Sequence, residues 1–371
     1  MAKQIIGTAQ NEYAFLYEWL KKYSGFTIML VCGNSFSNLN ISKYLKKYSV
    51  ELGIDIVKFS DFSPNPDYVS VEKGVMLFNE THCSGVIAVG GGSAMDVAKC
   101  IKLYHTMNPK VCFLEQEIIA NNTEIMAIPT TAGTGSEATR YAVIYCDGEK
   151  QSVVHESCIP QYILFDATVL ETLNEYHRKA SMLDALCHGI ESFWSVHSTE
   201  ESREYSAKAI KMIYENIDGY LENKPENNEK MMEAAYFAGK AINITQTTAG
   251  HAMCYKLTKL YGIAHGFAAA LCTAKLWQYM LDNIENCVDS RGELYLKGVF
   301  TQIAENSGCN DIREAPRQFF RLVEELFSGA CLNIEDLPVL INSVNPVRLK
   351  NNPVKLEEED IKYIYERLIT G

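Results

Sequence analysis

One aspartate and three histidines offer the clearest chemistry in this sequence. Asp184 and His188 sit four residues apart in 181–191, a run that reads as helix. That spacing puts both side chains on one helical face, one turn apart. His251 follows in Thr247-Thr248-Ala249-Gly250-His251, at the start of a second helical run, and His265 in Gly262-Ile263-Ala264-His265-Gly266. One carboxylate and three imidazoles suit a borderline divalent ion such as Fe²⁺ or Zn²⁺. Taken alone, the same four residues also fit an aspartate capping its neighbourhood and three core histidines satisfied by backbone carbonyls.

Two other stretches have the composition of ligand loops. Gly90-Gly91-Gly92-Ser93 follows the apolar run 85–89 and leads into Ala94-Met95-Asp96-Val97-Ala98-Lys99. A strand, a glycine turn and a helix start bind phosphate, because the backbone comes close to the oxygens and the helix N-terminus supplies N–H donors. Asp96 is expected in the first helical turn. The pattern is not Gly-x-Gly-x-x-Gly, and three glycines also make an ordinary tight turn. Pro129-Thr130-Thr131-Ala132-Gly133-Thr134-Gly135-Ser136-Glu137 ends another apolar run. Hydroxyls and glycines at the carboxyl end of a strand suit an anion or a ribose, although threonine-rich loops are also simply structural.

These loops need strands to hold them. Apolar runs at 26–33, 54–59, 85–89, 124–129 and 162–166 read as strands, with helical stretches such as 67–80 and 93–105 between them. Strands separated by helices imply a parallel, doubly wound sheet. From about Leu173 the texture changes to long segments of 3.6-residue period, for example 200–221, 228–243 and 294–307. The expected organisation is α/β: a nucleotide-binding domain over 1–170 and an all-helical, metal-binding domain over 171–371, with the boundary near 167–175. The polar stretch 351–360 reads as a loop before a terminal helix. There is no internal repeat.

The 371 residues are enough for two cores. The net charge of −12 disfavours a nucleic-acid or anionic-membrane partner. Twelve cysteines without a Cys-x-x-Cys pair point to free thiols in a reducing cytoplasm. The start, Met1-Ala2-Lys3-Gln4, has no apolar leader core, and no apolar run approaches a membrane span.

In order, Gly-Gly-Gly-Ser-x-x-Asp, Pro-Thr-Thr-Ala-Gly-Thr-Gly-Ser-Glu, Asp-Ala-x-x-His-x-x-Glu, Gly-His-Ala-Met and His-Gly resemble the iron-containing (group III) alcohol dehydrogenases. Pro64-Asn65-Pro66, and Lys150 ahead of Pro160 and Asp166, fit the same family. The resemblance runs from about Asn34 to beyond His265. It implies a Rossmann-like N-terminal domain and a helical C-terminal domain of the kind shared with dehydroquinate synthase, with the site in the cleft between them. It implies metal ligands at Asp184, His188, His251 and His265. It implies NADH or NADPH on Gly90, Gly91, Gly92 and Ser93, with Asp96, Asn65, Thr130, Thr131, Thr134 and Lys150 around the cofactor. The chemistry implied is reduction of an aldehyde whose oxygen the metal polarises, by hydride from a nicotinamide held at fixed distance. No side chain stands out as the proton donor, so a water or ribose hydroxyl relay is expected. A homodimer is also expected.

Two departures from the family pattern bear on specificity. Tyr255 stands where many relatives carry a histidine, one turn after His251, and is expected to face the cleft. Gly33, followed by Asn34, stands where some relatives carry an acidic residue that would repel a 2′-phosphate, so NADPH should be accepted. Thr139-Arg140-Tyr141-Ala142-Val143-Ile144 and Gly250-His251-Ala252-Met253-Cys254-Tyr255 look like the phosphonoacetaldehyde reductase branch, which makes 2-hydroxyethylphosphonate. Arg140 and Tyr255 are then the candidate substrate contacts, since a tetrahedral dianion needs fixed donors. The rivals are reduction of neutral short-chain aldehydes, lyase chemistry resembling dehydroquinate synthase, and a nucleotide-binding regulator with a relict site.

Overall fold

The apolar runs of the first half become the strands of one parallel sheet. The computed structural model describes residues 4–327, 329 and 332–370; the Met1-Ala2-Lys3 of the expected leader-free start lie outside this range. The strands are β1 (Ile5–Thr8), β2 (Thr27–Cys32), β3 (Asp55–Phe59), β4 (Cys83–Gly90), β5 (Ile125–Pro129), β6 (Tyr141–Cys146), β7 (Glu149–Val154) and β8 (Tyr162–Phe165). Six of them form a parallel sheet in the order β1-β8-β5-β4-β2-β3. Strands β2, β4 and β5 lie inside the sheet and are covered on both faces, which is why they read as unbroken apolar runs.

Between the strands lie α1 (Gln10–Leu20), α2 (Asn40–Leu52), α3 (Tyr68–Glu80) and α4 (Gly92–Tyr104). Asp67 caps α3 by accepting from the Ser70 N–H at 2.6 Å. Val71, Val75 and Phe78 of α3 share a core with Val97 and Ile101 of α4 and Val86 and Ala88 of β4.

Two features of this half differ from the expected set of strands. Strand β1 joins the sheet edge beside β8, some 157 residues away in register (Ile5 opposite Tyr162). Strands β6 and β7 form a separate antiparallel hairpin. Its turn, Asp147-Gly148, has φ of 54° and 79°. An Asp-Gly pair with both φ positive is the signature of a tight hairpin turn, so that signal was available.

The second half contains α5 (Glu175–Trp194), α6 (Glu200–Leu221), α7 (Pro225–Thr245), α8 (Ala249–Tyr261), α9 (His265–Asp282), α10 (Glu293–Asn306), α11 (Glu314–Leu326), α12 (Leu337–Asn342), α13 (Pro346–Leu349) and α14 (Glu358–Thr370). The expected polar loop is shorter than read: residues 358–360 are the first turn of α14, where acidic side chains favour the positive helix end. Contacts divide the chain into two compact units. One runs to Thr131 and resumes from Gly135 to Leu173; the other holds Ala132–Thr134 and everything from Asn174. No helix among the described residues is long and apolar enough to cross a membrane, and the described cysteines are free thiols.

Candidate active site

Three helices of the second unit bring the four candidate ligands together. Asp184 and His188 lie mid-helix on α5, His251 in the first turn of α8, and His265 opens α9. The Nε2 atoms of His251, His265 and His188 stand 3.4, 3.8 and 3.9 Å from Asp184 Oδ1. Donor atoms of Asp184, His188 and His251 all fall within 4.8 Å of one another. The His188 and His251 rings stack with centroids 4.7 Å apart. His265 is more open, its side chain 38% exposed, with Cys254 Sγ 3.6 Å from Nδ1.

This donor set fits a divalent ion. Asp184 Oδ1 and His251 Nε2, two of the converging atoms, are buried without a hydrogen-bond partner. Each orphaned atom costs about 1–3 kcal/mol unless something satisfies it. A tetrahedral shell with bonds of about 2.1 Å sets its donors about 3.4 Å apart, close to the spacing seen here.

Electrostatics point the same way. Burial opposes ionisation of Asp184, but the surrounding histidines outweigh it and hold the carboxyl well below the usual range. Glu191, one helical turn beyond His188, is fully buried. Burial opposes its charge too, yet His251 and Thr248 hold its carboxyl at about 2. Burial pushes His251 down, but Glu191 and Asp184 prevail and lift it to about 9. Two buried carboxylates among neutral-capable imidazoles leave a site that calls for positive charge.

Glu191 is the residue whose role the motif did not reveal. Its Oε1 lies 2.5 Å from His251 Nδ1 and accepts from Thr273 Oγ1 at 3.2 Å. Its Oε2 accepts from Thr248 N at 2.6 Å and Thr248 Oγ1 at 2.7 Å. A carboxylate on Nδ1 fixes the imidazole so that Nε2 presents its lone pair to the site.

Two glycines make this packing possible. A Cβ on Gly266 would lie 1.9 Å from the Ala180 carbonyl oxygen and 2.9 Å from Asp184 Cβ, so α9 could not bring His265 beside Asp184. A Cβ on Gly250 would lie 2.7 Å from Glu191 Oε1.

The candidate cofactor residues of the first unit gather at one end of the sheet. Cys32 of β2 lies opposite Val89 of β4, and Gly90 opposite Pro129 of β5. Gly33, the Gly90–Gly92 turn and Thr130 therefore emerge side by side, where the strand order reverses on either side of β2, the usual ligand position in such sheets. The Thr130 N–H donates to Gly90 O at 3.0 Å. Thr131 Oγ1 packs 3.3 Å from where Gly91 would carry a Cβ. Ser93 Oγ accepts from the Asn65 N–H at 3.3 Å, and Asn65 has φ of 57°. Asn34 opens a short 3₁₀ turn after Gly33.

The other candidates are placed differently. Asp96 is the fifth residue of α4, beyond its first turn, and accepts from Ser136 Oγ at 3.2 Å. Burial pushes its carboxyl up to about 6 against the pull of Lys99 and Lys150. It thus faces the 136–139 segment. Lys99, buried and unremarked in the sequence, donates to Ser136 O, Tyr141 O and Thr139 O at 2.6, 2.7 and 3.0 Å. Lys150 lies on β7 opposite Tyr145, and Thr134 belongs to the short segment grouped with the helical unit. Arg140 precedes β6, and its guanidinium is engaged by Glu156 at 2.9 Å and by the Tyr141 hydroxyl. Tyr255 stacks on His265, centroids 5.4 Å apart and 15° from parallel, and burial pushes its phenol up.

Known proteins are similar to both halves of the chain. Residues 5–167 match the iron-containing alcohol dehydrogenase family, and residues 179–369 match the C-terminal domain of the Fe-containing alcohol dehydrogenase family. The chain is 28% identical over 296 residues to the phosphonoacetaldehyde reductase of Streptomyces viridochromogenes, covering 74% of this chain and 73% of that one. It is 25% identical over 372 residues to the NADPH-dependent butanol dehydrogenase of Clostridium saccharobutylicum, covering 95% and 94%. The crystal structure of sulfoacetaldehyde reductase from Bifidobacterium kashiwanohense in complex with NAD+ superposes with a TM-score of 0.87 at 25% identity, covering 100% of this chain and 98% of that one.

Proposed function

This chain belongs to the iron-containing alcohol dehydrogenase family, and from that premise we propose that it reduces a small anionic aldehyde, phosphonoacetaldehyde, to 2-hydroxyethylphosphonate. The convergence of three imidazole Nε2 atoms on Asp184 Oδ1 carries the chemistry of the proposal. The relative whose name is phosphonoacetaldehyde reductase supports the substrate. Asp184, His188, His251 and His265 would hold the ion, and Gly33, Asn34, Asn65, Gly90–Ser93, Thr130, Thr131, Thr134 and Lys150 the nicotinamide cofactor. When bound, Fe²⁺ supplies a Lewis acid for a carbonyl and the reduced nicotinamide supplies hydride.

The chain's own residues then orient and select. Glu191 keeps the proton of His251 on Nδ1, away from the ligand face. Asp96 and Lys99 hold the 136–141 segment against α4. Tyr255 presents an apolar ring beside His265. Gly33 leaves room and no negative charge at the end of β2, so NADPH is accepted at least as well as NADH.

The test is aldehyde-dependent loss of reduced-nicotinamide absorbance, with and without a chelator, across phosphonoacetaldehyde, sulfoacetaldehyde, propanal and butanal. The expected result is chelator-sensitive turnover with the highest kcat/KM on phosphonoacetaldehyde. Equal or better turnover of the neutral aldehydes refutes the substrate and leaves the dehydrogenase. Sulfoacetaldehyde is the second candidate, favoured by the superposition above.

A further inference from the structure

Arg348 is a partly buried cation with little to hold. It lies on the short helix α13 and donates from Nη1 to Thr247 Oγ1 at 3.2 Å. Its guanidinium carbon stands 5.5 Å from the centre of the Tyr255 ring. Among the described residues, no carboxylate pairs with it at ion-pair distance. Arg140, Arg291 and Arg313, by contrast, each have one. A guanidinium has five N–H donors in a planar fork, and one hydrogen bond leaves most of them unused.

Its position is not accidental to the site. Asn351, three residues on, donates from Nδ2 to Thr247 O at 3.1 Å. This pins the α13 segment to the loop 246–248, which opens α8 and leads directly to His251. Gln246 in that loop has φ of 61° and ψ of 179°, a strained backbone for a residue with a side chain. Thr248 of the same loop is held by Glu191. Tyr255 touches both groups that matter: its ring centre is 5.5 Å from the Arg348 guanidinium carbon and 5.4 Å from the His265 ring centre. Arg348 is therefore one aromatic ring removed from a candidate metal ligand and anchored to the loop that positions another.

We infer that Arg348 reads a tetrahedral oxyanion, phosphonate or sulfonate, on the aldehyde that this site reduces. The inference rests on the anionic-aldehyde reading above. In a two-carbon aldehyde the phosphorus or sulfur is one carbon away from the carbonyl, so an anion reader has to stand beside the metal ligands rather than at a distance. The fork of Arg matches two oxygens of such a group. A chain of net charge −12 also needs a local cation to admit a dianion. Arg140 already has its counter-charge in Glu156.

The experiment compares the parent, R348Q and R140Q on phosphonoacetaldehyde, sulfoacetaldehyde and 3,3-dimethylbutanal, a neutral aldehyde of the same branched shape. R348Q is expected to lower kcat/KM on the preferred oxyanion by about 30-fold, roughly 2 kcal/mol. Turnover of the neutral aldehyde stays within about threefold, and R348K recovers part of the loss. The parent's ratio between the two oxyanions identifies which one the site takes. If R348Q keeps the oxyanion preference, or if R140Q alone abolishes it, Arg348 is not the reader while the substrate reading stands. If R348Q loses neutral and anionic turnover equally, its role is structural and the inference fails. If the parent itself does not prefer an oxyanion, the substrate reading fails and this inference with it.

Discussion

Replacing Glu191 by Gln keeps its volume and removes one acceptor, and the surrounding hydrogen bonds dictate which one. Oε2 accepts from the Thr248 backbone N–H at 2.6 Å, a donor that cannot be reversed, so the amide oxygen must stay on that side. The amide NH₂ then faces His251 Nδ1, now 2.5 Å from Oε1. Two donors cannot share that gap, so the imidazole must accept at Nδ1 and carry its proton on Nε2. Nε2 is the atom 3.4 Å from Asp184 Oδ1 and the one required to bind a cation. Losing a carboxylate behind a ligating histidine weakens metal binding by about 10–100-fold. The tautomer change adds to this, so the expected loss is at the upper end, about 100-fold or 2.7 kcal/mol. The assay is competition for Fe²⁺ or Zn²⁺ against a chelator of known affinity, with melting at saturating metal as the check on folding. Activity should return toward the parent value at high free metal. An E191Q protein that holds metal within about threefold of the parent refutes the role given to Glu191.

Removing a ligand outright is simpler: H265A should retain little stoichiometric metal after dialysis, and full retention would remove His265 from the set. G266A should do nearly the same with all four ligands present, because its methyl meets the Ala180 carbonyl at 1.9 Å; metal content equal to the parent's would show that α9 can shift without consequence. At the end of β2, nothing lies within 4 Å of a Cβ on Gly33, so G33D should fold. It should move the NADH-to-NADPH ratio of kcat/KM toward NADH by at least about tenfold, roughly 1.4 kcal/mol; an unchanged ratio would place 2′-phosphate recognition elsewhere. Burial pushes the Glu137 carboxyl up to about 7 from an ordinary value of 4.5. A raised carboxyl contributes stability below its unfolded value and loses it as pH rises through about 7. The melting advantage of E137Q over the parent should therefore grow from pH 4.5 to about 7 and level off above; a flat difference would contradict a carboxyl whose burial outweighs the pull of Lys99.

The parts of this protein that were legible in sequence are those carried by local pattern. Unbroken apolar runs announced β2, β4 and β5 because strands covered on both faces have no solvent side to mark. The triple glycine joining β4 to α4 announced a turn because side chains there would crowd their neighbours, as a Cβ on Gly90 would meet Ala94 Cβ at 2.5 Å. Asp184 and His188 announced a shared face through helical spacing alone, and the ordered motifs tied them to His251 and His265. The Asp147-Gly148 turn of the hairpin is an equally local signal. What the pattern could not carry is pairing across distance. Glu191 sits on the face of α5 that His188 marks, yet only folding sets it against the Nδ1 of a histidine 60 residues on. Lys99 looks like any helical lysine, and burial among the 136–141 carbonyls is what turns it into a staple. Arg348 lies 97 residues after His251 in chain order, and only folding sets it against Thr247 and Tyr255 on either side of that histidine in the chain. Charge and hydrogen-bond partners are chosen in three dimensions, so a side chain's type can be read from the sequence while its counter-group is decided by the fold.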